Sequence, residues 1–226
     1  RHMLRLWQAA RKEIILRDLD FLFGYVKEDN ERSMSIITRF GAQVVETKDF
    51  LTMPVHARFC RSKSEVDQVV FTPHPSEEQD WAALESNFGG LGLFPDRAQR
   101  EATHQQRERY LFGKFSCRGS SVKVWDTSGE YTNRVLNIPR IFKVVRPIFR
   151  MGSKLLPLPH IPNLGEEIKV WQLFDLVLDK PADLNPILEK VRRAAVDKGI
   201  HYLVVTLSQG EKGYEQVAKK AWVKPR

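Results

Sequence analysis

Cysteine is scarce in this chain of 226 residues: Cys60 and Cys117 are the two present, far apart and in no CxxC pair. A disulfide scaffold and a zinc ribbon are therefore excluded, and a reducing, intracellular compartment is the expectation. No apolar run approaches the ~20 residues of a membrane-spanning helix. His2, His56, His74, His104, His160 and His201 are dispersed, without HExxH or His-x-x-x-His spacing, and there is no Gly-x-Ser-x-Gly elbow. No metal is expected, and serine hydrolysis finds no support. His201, inside an apolar run, reads as a core histidine with its hydrogen bonds satisfied. Low-complexity linkers are missing, and the opening Arg1, His2, Met3 leads directly into an amphipathic pattern instead of a secretory leader. Acidic residues fall short of basic ones, 28 against 36, for a net charge of +8. That balance suits an anionic partner, and equally a basic protein that uses its charge only to stay dispersed.

What is present has the composition of a folded globular chain, 42% hydrophobic and 28% charged. Met3, Trp7, Ala10 and Ile14 recur at helical spacing, which predicts a helix over 3–15. Residues 20–26 form a short apolar run suited to a strand buried on both faces. Asn30 is a helix cap, after which Ser33, Ile36, Ile37 and Phe40 keep the 3.6-residue period until Gly41 stops it. Residues 42–46 and 50–57 read as two antiparallel strands. The same order returns about 180 residues later: Asp183 as the cap of a helix carrying Leu184, Ile187, Leu188, Val191 and Ala195, Gly199 as its stop, a β-branched strand over 200–207, and a short helix over 214–221. Between the two lie predicted helices over 77–88 and 96–109, a hairpin over 110–117 and 121–126, and the longest strand candidate, 167–179. The fold class is α/β (α+β), a mixed sheet flanked by helices. The polar run 61–65 divides two units, 1–60 and 66–226. Trp7, Trp81, Trp125, Trp171 and Trp222 fall mostly on periodic apolar faces and read as core. The glycines of 89–92 precede Pro95 and read as a turn, not a phosphate loop.

Asn30, Ser33 and Gly41, behind a predicted strand and ahead of further strands, resemble the C-terminal motif of the GNAT N-acetyltransferases, with Ile37 at the place of the usual tyrosine. An ordered set of further segments is similar to the plant HOOKLESS-type tandem GNAT proteins: 28–33, 51–55, 93–96 before a helix, 156–162 before the long strand, and 191–199 before the last strand. The resemblance implies a GNAT-like mixed sheet built twice: the distal half of an acetyltransferase domain over 1–60, then a second, degenerate GNAT-like unit over 66–226. It implies acetyl-CoA as cofactor, an amine or protein acceptor, Asn30 and Ser33 beside the cofactor arm, and Arg1 and His2 just past the diphosphate-binding loop. Helix N-termini hold such anions with free N–H groups. The family's Gly-rich loop does not occur ahead of the first predicted helix, and only Lys180, Pro181 and Ala182 stand between the long strand and Asp183, so the second unit is expected to bind no acetyl-CoA. Ile37 cannot act as the acid that protonates the leaving thiolate. No catalytic residue is assigned, and the 226 residues by themselves are expected to be inactive.

Residues 131–165 carry Arg134, Arg140, Lys143, Arg146, Arg150 and Lys154 and no acidic residue. Such a run is suited to an anionic membrane or to nucleic-acid phosphates, but Pro139 and Pro147 interrupt any single helix. The preferred reading is a domain-docking segment. Two functions therefore stand: acetyl transfer from acetyl-CoA to an amine, or a non-catalytic GNAT-fold scaffold in a larger complex.

Overall fold

The computed structural model describes residues 2–16, 18, 24–56, 65–75, 77–88, 108–129, 132–138, 146–147, 149, 152 and 161–221. They divide into two compact units, Arg1–Glu46 and Thr47–Arg226. The expected dividing run, 61–65, lies outside the described residues except for Glu65.

In the first unit, helix α1 spans His2–Leu16 and helix α2 spans Glu31–Arg39. Asn30 caps α2 as its residue type predicts, its side-chain Oδ1 accepting the Ser33 N–H at 3.1 Å. At the other end Gly41, with φ +86°, lets the chain reverse. Its N–H donates to the Thr38 carbonyl and that of Ala42 to the Ile37 carbonyl, the paired bonds of a Schellman ending. Trp7 of α1 stacks on Phe40, ring centroids 5.2 Å apart. Neither of the two strands expected here is present among the described residues. Residues 24–26 have no strand structure, 20–23 lie outside the described residues, and Tyr25 is 80% exposed. Residues 42–46 are likewise without strand pairing, and Val44 and Val45 are exposed.

The second unit is built on a six-stranded sheet. Its strands are β1 (Lys48–Pro54), β2 (Val70–Thr72), β3 (Leu111–Cys117), β4 (Ser120–Asp126), β7 (Val170–Val177) and β8 (Tyr202–Ser208), and they lie in the order β1-β8-β7-β4-β3-β2. The short strands β5 (Asn133–Arg134) and β6 (Glu167–Ile168) pair separately. Neighbours in the large sheet are antiparallel except β7 and β8, which run parallel across the crossover helix α4 (Leu184–Asp197). Helices α3 (Glu77–Phe88) and α5 (Tyr214–Lys220) complete the layers. The predicted hairpin is present as β3–β4, turned by Arg118 in the left-handed region. Arg118 is held there by its Nε, which donates to Gln68 Oε1 at 3.1 Å.

Strand alternation explains the core. Leu51 and Met53 of β1, Leu203 and Val205 of β8, Trp171 and Leu173 of β7, Val122 and Val124 of β4 and Phe115 of β3 all join one buried cluster. The periodic face of α4 (Leu184, Ile187, Leu188, Val191, Ala195) belongs to the same cluster, as do Val217 and Ala218 of α5. Gly199 ends α4 in the same Schellman pattern as Gly41 ends α2: its N–H reaches the Val196 carbonyl, and that of Ile200 the Ala195 carbonyl.

Three expectations need correction. The segment 50–57 does not pair with 42–46; β1 is an edge strand of the second unit's sheet, antiparallel to β8 from Lys48↔Ser208 to Pro54↔Tyr202. The long strand 167–179 is interrupted at Lys169, between β6 and β7. Among the described tryptophans Trp171 alone is fully buried, while Trp7, Trp81 and Trp125 are half-buried and Trp222 lies outside the described residues. Most of the predicted helix 96–109 and the glycine run 89–92 also lie outside them, as does most of the basic segment 131–165.

Candidate functional site

The parallel pair β7–β8 is where this sheet departs from a regular ladder. Pairing runs from Val170↔Tyr202 to Leu173↔Val205 and stops there, although β7 continues to Val177 and β8 to Ser208. The cause lies on the other side of β7. Against β4, Ser121 faces Val177 and Lys123 faces Phe174, so three steps along β7 oppose two along β4. Asp175, with φ +51°, sits at this bulge, and a bulge bends its strand and increases local twist. The two parallel strands thus separate toward their C-terminal ends, at the crossover where open α/β sheets place their ligands.

The unit's own chain packs around this end of β7. Beyond β7, the Asp179 N–H donates to Ser120 Oγ at 2.9 Å. The Ser120 hydroxyl donates in turn to Asp183 Oδ2, also at 2.9 Å. The turn Pro181–Asp183 leads directly into α4. Asp183 is 2% exposed and Ser120 fully buried, so a carboxylate is fixed at the head of α4, where a helix otherwise offers positive potential to an anion. Pro181 has no N–H to offer, and Pro186 removes another from the first turn of α4. On the β8 side, the backbone at Gly213 packs so closely on Leu178 that an added Cβ would lie 2.5 Å from Leu178 Cδ1, with Leu176 and Leu184 behind it. A phosphate group brought to this place would meet an acid and leucines.

The bulge also carries a charged pair. Lys123 lies one residue out of phase with Val122 and Val124 and therefore on the opposite face of the sheet, yet it is 1% exposed. Its Nζ lies 3.4 Å from Asp175 Oδ2. Nothing in the periodicity marks this lysine, which alternates with Val122 and Val124 as a solvent-facing residue would.

A third polar group ties β1 to the far end of the chain. Asp49 is buried. The Tyr214 hydroxyl of α5 donates a short hydrogen bond to Asp49 Oδ2, and Gln209 Nε2 lies 3.4 Å from the same oxygen. The hydrogen bond to Asp49, with desolvation and the carboxylate's charge behind it, raises the Tyr214 pKa above the ordinary tyrosine value. The hydroxyl is therefore retained in the folded state to higher pH than in the unfolded chain. Its stabilising effect is complete below the unfolded value of about 10 and is lost as pH rises through the folded value. Tyr214→Phe is expected to lower stability by a constant amount from pH 6 to 9, and the two proteins should converge in more alkaline solution. Urea melts across that range check it; a difference that grows with alkalinity contradicts it.

Of the sequence-derived site residues, the structure brings Asn30 and Ser33 together at the head of α2, through the cap bond. Arg1 lies outside the described residues. His2 opens α1, and its side chain is outside them. Ile37 is half-buried. His201 is not the core histidine expected: it is half-buried and precedes β8, although its Nδ1 accepts the Lys169 backbone N–H at 3.2 Å and its backbone N–H donates to the Lys169 carbonyl. Among the described residues no group of three His, Cys, Asp or Glu side chains is placed to hold a metal, and no helix is long and apolar enough to cross a membrane. No model of a known protein family matches this sequence, and no curated protein matches it.

Proposed function

We propose that this protein is of the tandem GNAT N-acetyltransferase type, with residues 47–226 as its non-catalytic half. Acetyl-CoA binding, and transfer of the acetyl group to an amine, belong in this reading to the unit that contains Asn30 and Ser33. The observation that carries the proposal is the β7–α4–β8 crossover, where the ladder ends at Leu173↔Val205 and the buried Asp183 stands at the head of α4. The strand separation is the kind of opening that receives an extended acyl carrier. The carboxylate, the prolines and the packing at Gly213 are what would close it to a diphosphate. The second unit then contributes shape and stability to the whole protein.

The buried Asp183 also favours a second reading, a scaffold that keeps the fold and carries out no acetyl transfer. Amide chemical-shift mapping of the native full-length protein with acetyl-CoA separates the two. Acetyltransferase function requires perturbations around Asn30–Ser33 and none over 178–184. At 100 times Kd the bound cofactor should add about 2.7 kcal/mol to stability. Perturbation of 178–184 would remove the non-catalytic assignment of the second unit, and a silent spectrum at millimolar cofactor would leave the scaffold reading.

A further inference from the structure

Strand β1 leaves one side of its backbone unpaired. The Val55 N–H donates to the His201 carbonyl at 2.9 Å, continuing the β1–β8 ladder one residue beyond Pro54↔Tyr202. In an antiparallel pair alternate residues turn both backbone groups toward the neighbouring strand. Asp49, Leu51, Met53 and Val55 therefore face β8, while Lys48, Phe50 and Thr52 turn their N–H and C=O groups away from it. Pro54 fits this phase, because its missing N–H falls on the outward side, where an edge strand tolerates it. The side chains alternate as well: Asp49, Leu51 and Met53 are buried, Lys48 and Thr52 half-buried, and Phe50 is 63% exposed. Among the described residues no strand pairs with this outer edge. Residues 42–46 cannot turn back onto it, since Thr47 alone separates them from Lys48 and one residue is too short for a hairpin loop. Nor does β1 carry the devices that blunt an edge: its register with β8 is unbroken by any bulge, and its one lysine stands at the first position.

We propose that the outer edge of β1 is a docking surface for a second copy of this chain, the two β1 strands pairing antiparallel about a two-fold axis at Phe50. The edge is complementary to itself. Lys48, Phe50 and Thr52 are spaced symmetrically about Phe50, so the axis sets Phe50 against the partner's Phe50 and Lys48 against the partner's Thr52. Every outward N–H and C=O of these residues then meets a matching group, and Pro54, which could not donate, lies beyond the paired stretch. No two like charges come opposite each other, an arrangement that would cost stability. The two exposed rings share the face of the sheet opposite Leu51 and Met53, and a cross-strand aromatic pair is among the favourable ones. The sheet of one protomer thus continues into that of its partner, an isologous contact that closes at two copies. It involves few residues on each side, so monomer and dimer are expected to exchange with concentration.

The experiment takes the native full-length protein through sedimentation equilibrium and amide exchange by NMR at two concentrations. The mass should rise toward twice the monomer value between micromolar and millimolar protein. The Phe50 and Thr52 amides should exchange freely in dilute solution and become protected in concentrated solution, whereas those of Leu51 and Met53 are protected in both by β8. Thr52→Pro, which removes an outward N–H and leaves the β8 ladder whole, should abolish the association, as should Phe50→Lys, which puts two like charges at the axis. Both variants are expected to melt like the parent in dilute solution, and the exchange comparison stands whether or not either folds. A protein that stays monomeric at millimolar concentration overturns the proposal. So does a dimer in which the Phe50 and Thr52 amides remain unprotected, and so does protection of both amides in the dilute monomer, which would assign the edge to another segment of the same chain.

Discussion

Gly113→Ala is expected to be the most damaging single methyl group in the second unit, at about 4 kcal/mol, divided roughly equally between backbone strain and overpacking. Gly113 has φ +152°, a conformation that side chains rarely adopt. A Cβ there would lie 2.5 Å from Phe71 Cε2 and 2.7 Å from the Thr72 carbonyl oxygen. The ring could turn aside, but the carbonyl cannot, because β2 pairs Thr72 with Lys114. Moving Phe71 also disturbs what rests on it, since its ring lies 4.8 Å from Phe115 and 5.2 Å from Phe112, and Phe112 lies 4.2 Å from Trp171. Urea unfolding followed by tryptophan fluorescence gives the measurement. Against a total stability of about 5–15 kcal/mol for an ordinary domain, the loss would be plain. A cost below about 1 kcal/mol would show that β2 is not seated on β3 as described.

The second large effect concerns Lys123. Lys123→Ala should cost about 3–5 kcal/mol, because it removes a buried cation 3.4 Å from Asp175 and opens a cavity under a closed surface. The double variant Lys123→Met with Asp175→Asn should recover most of that loss. Methionine keeps the stem's volume, and asparagine tolerates the left-handed backbone at 175 while giving up the charge. The cycle of single and double variants isolates the pair. Additive effects would mean that Lys123 matters for its packing alone, and the charge argument would fail.

The local parts of the fold were readable because their signals are local. Asn30 and Gly41 bound α2, Gly199 ends α4, and the β3–β4 hairpin follows from two alternating runs around a short turn. What could not be read was pairing between distant segments. Residues 50–57 have the same alternating pattern whether they meet 42–46 or 202–208, and proximity in sequence favoured the wrong partner. The run 20–26 is apolar, but a strand needs a neighbour, and none reaches the described residues 24–26. Lys123 and Asp49 were missed for a related reason: a charged residue in a strand reads as solvated unless the opposing group is known, and those groups, Asp175 and Tyr214, come from other strands and helices. At the crossover the sequence showed the missing glycine between β7 and α4. It also placed Asp183 at the helix head as a cap, but it did not show that the side chain makes no cap bond and accepts the Ser120 hydroxyl instead.

Strand β1 pairs in this sheet only with β8, and about 150 residues of chain separate the two. On the ribosome, then, β1 emerges early and stays unmatched until Ser208 and the helix bearing Tyr214 have been synthesised. Assembly of the sheet waits for that distant segment, as high contact order slows folding in general. A nascent chain in that interval presents an open strand carrying Phe50, Leu51 and Met53, the sort of surface that holding chaperones occupy.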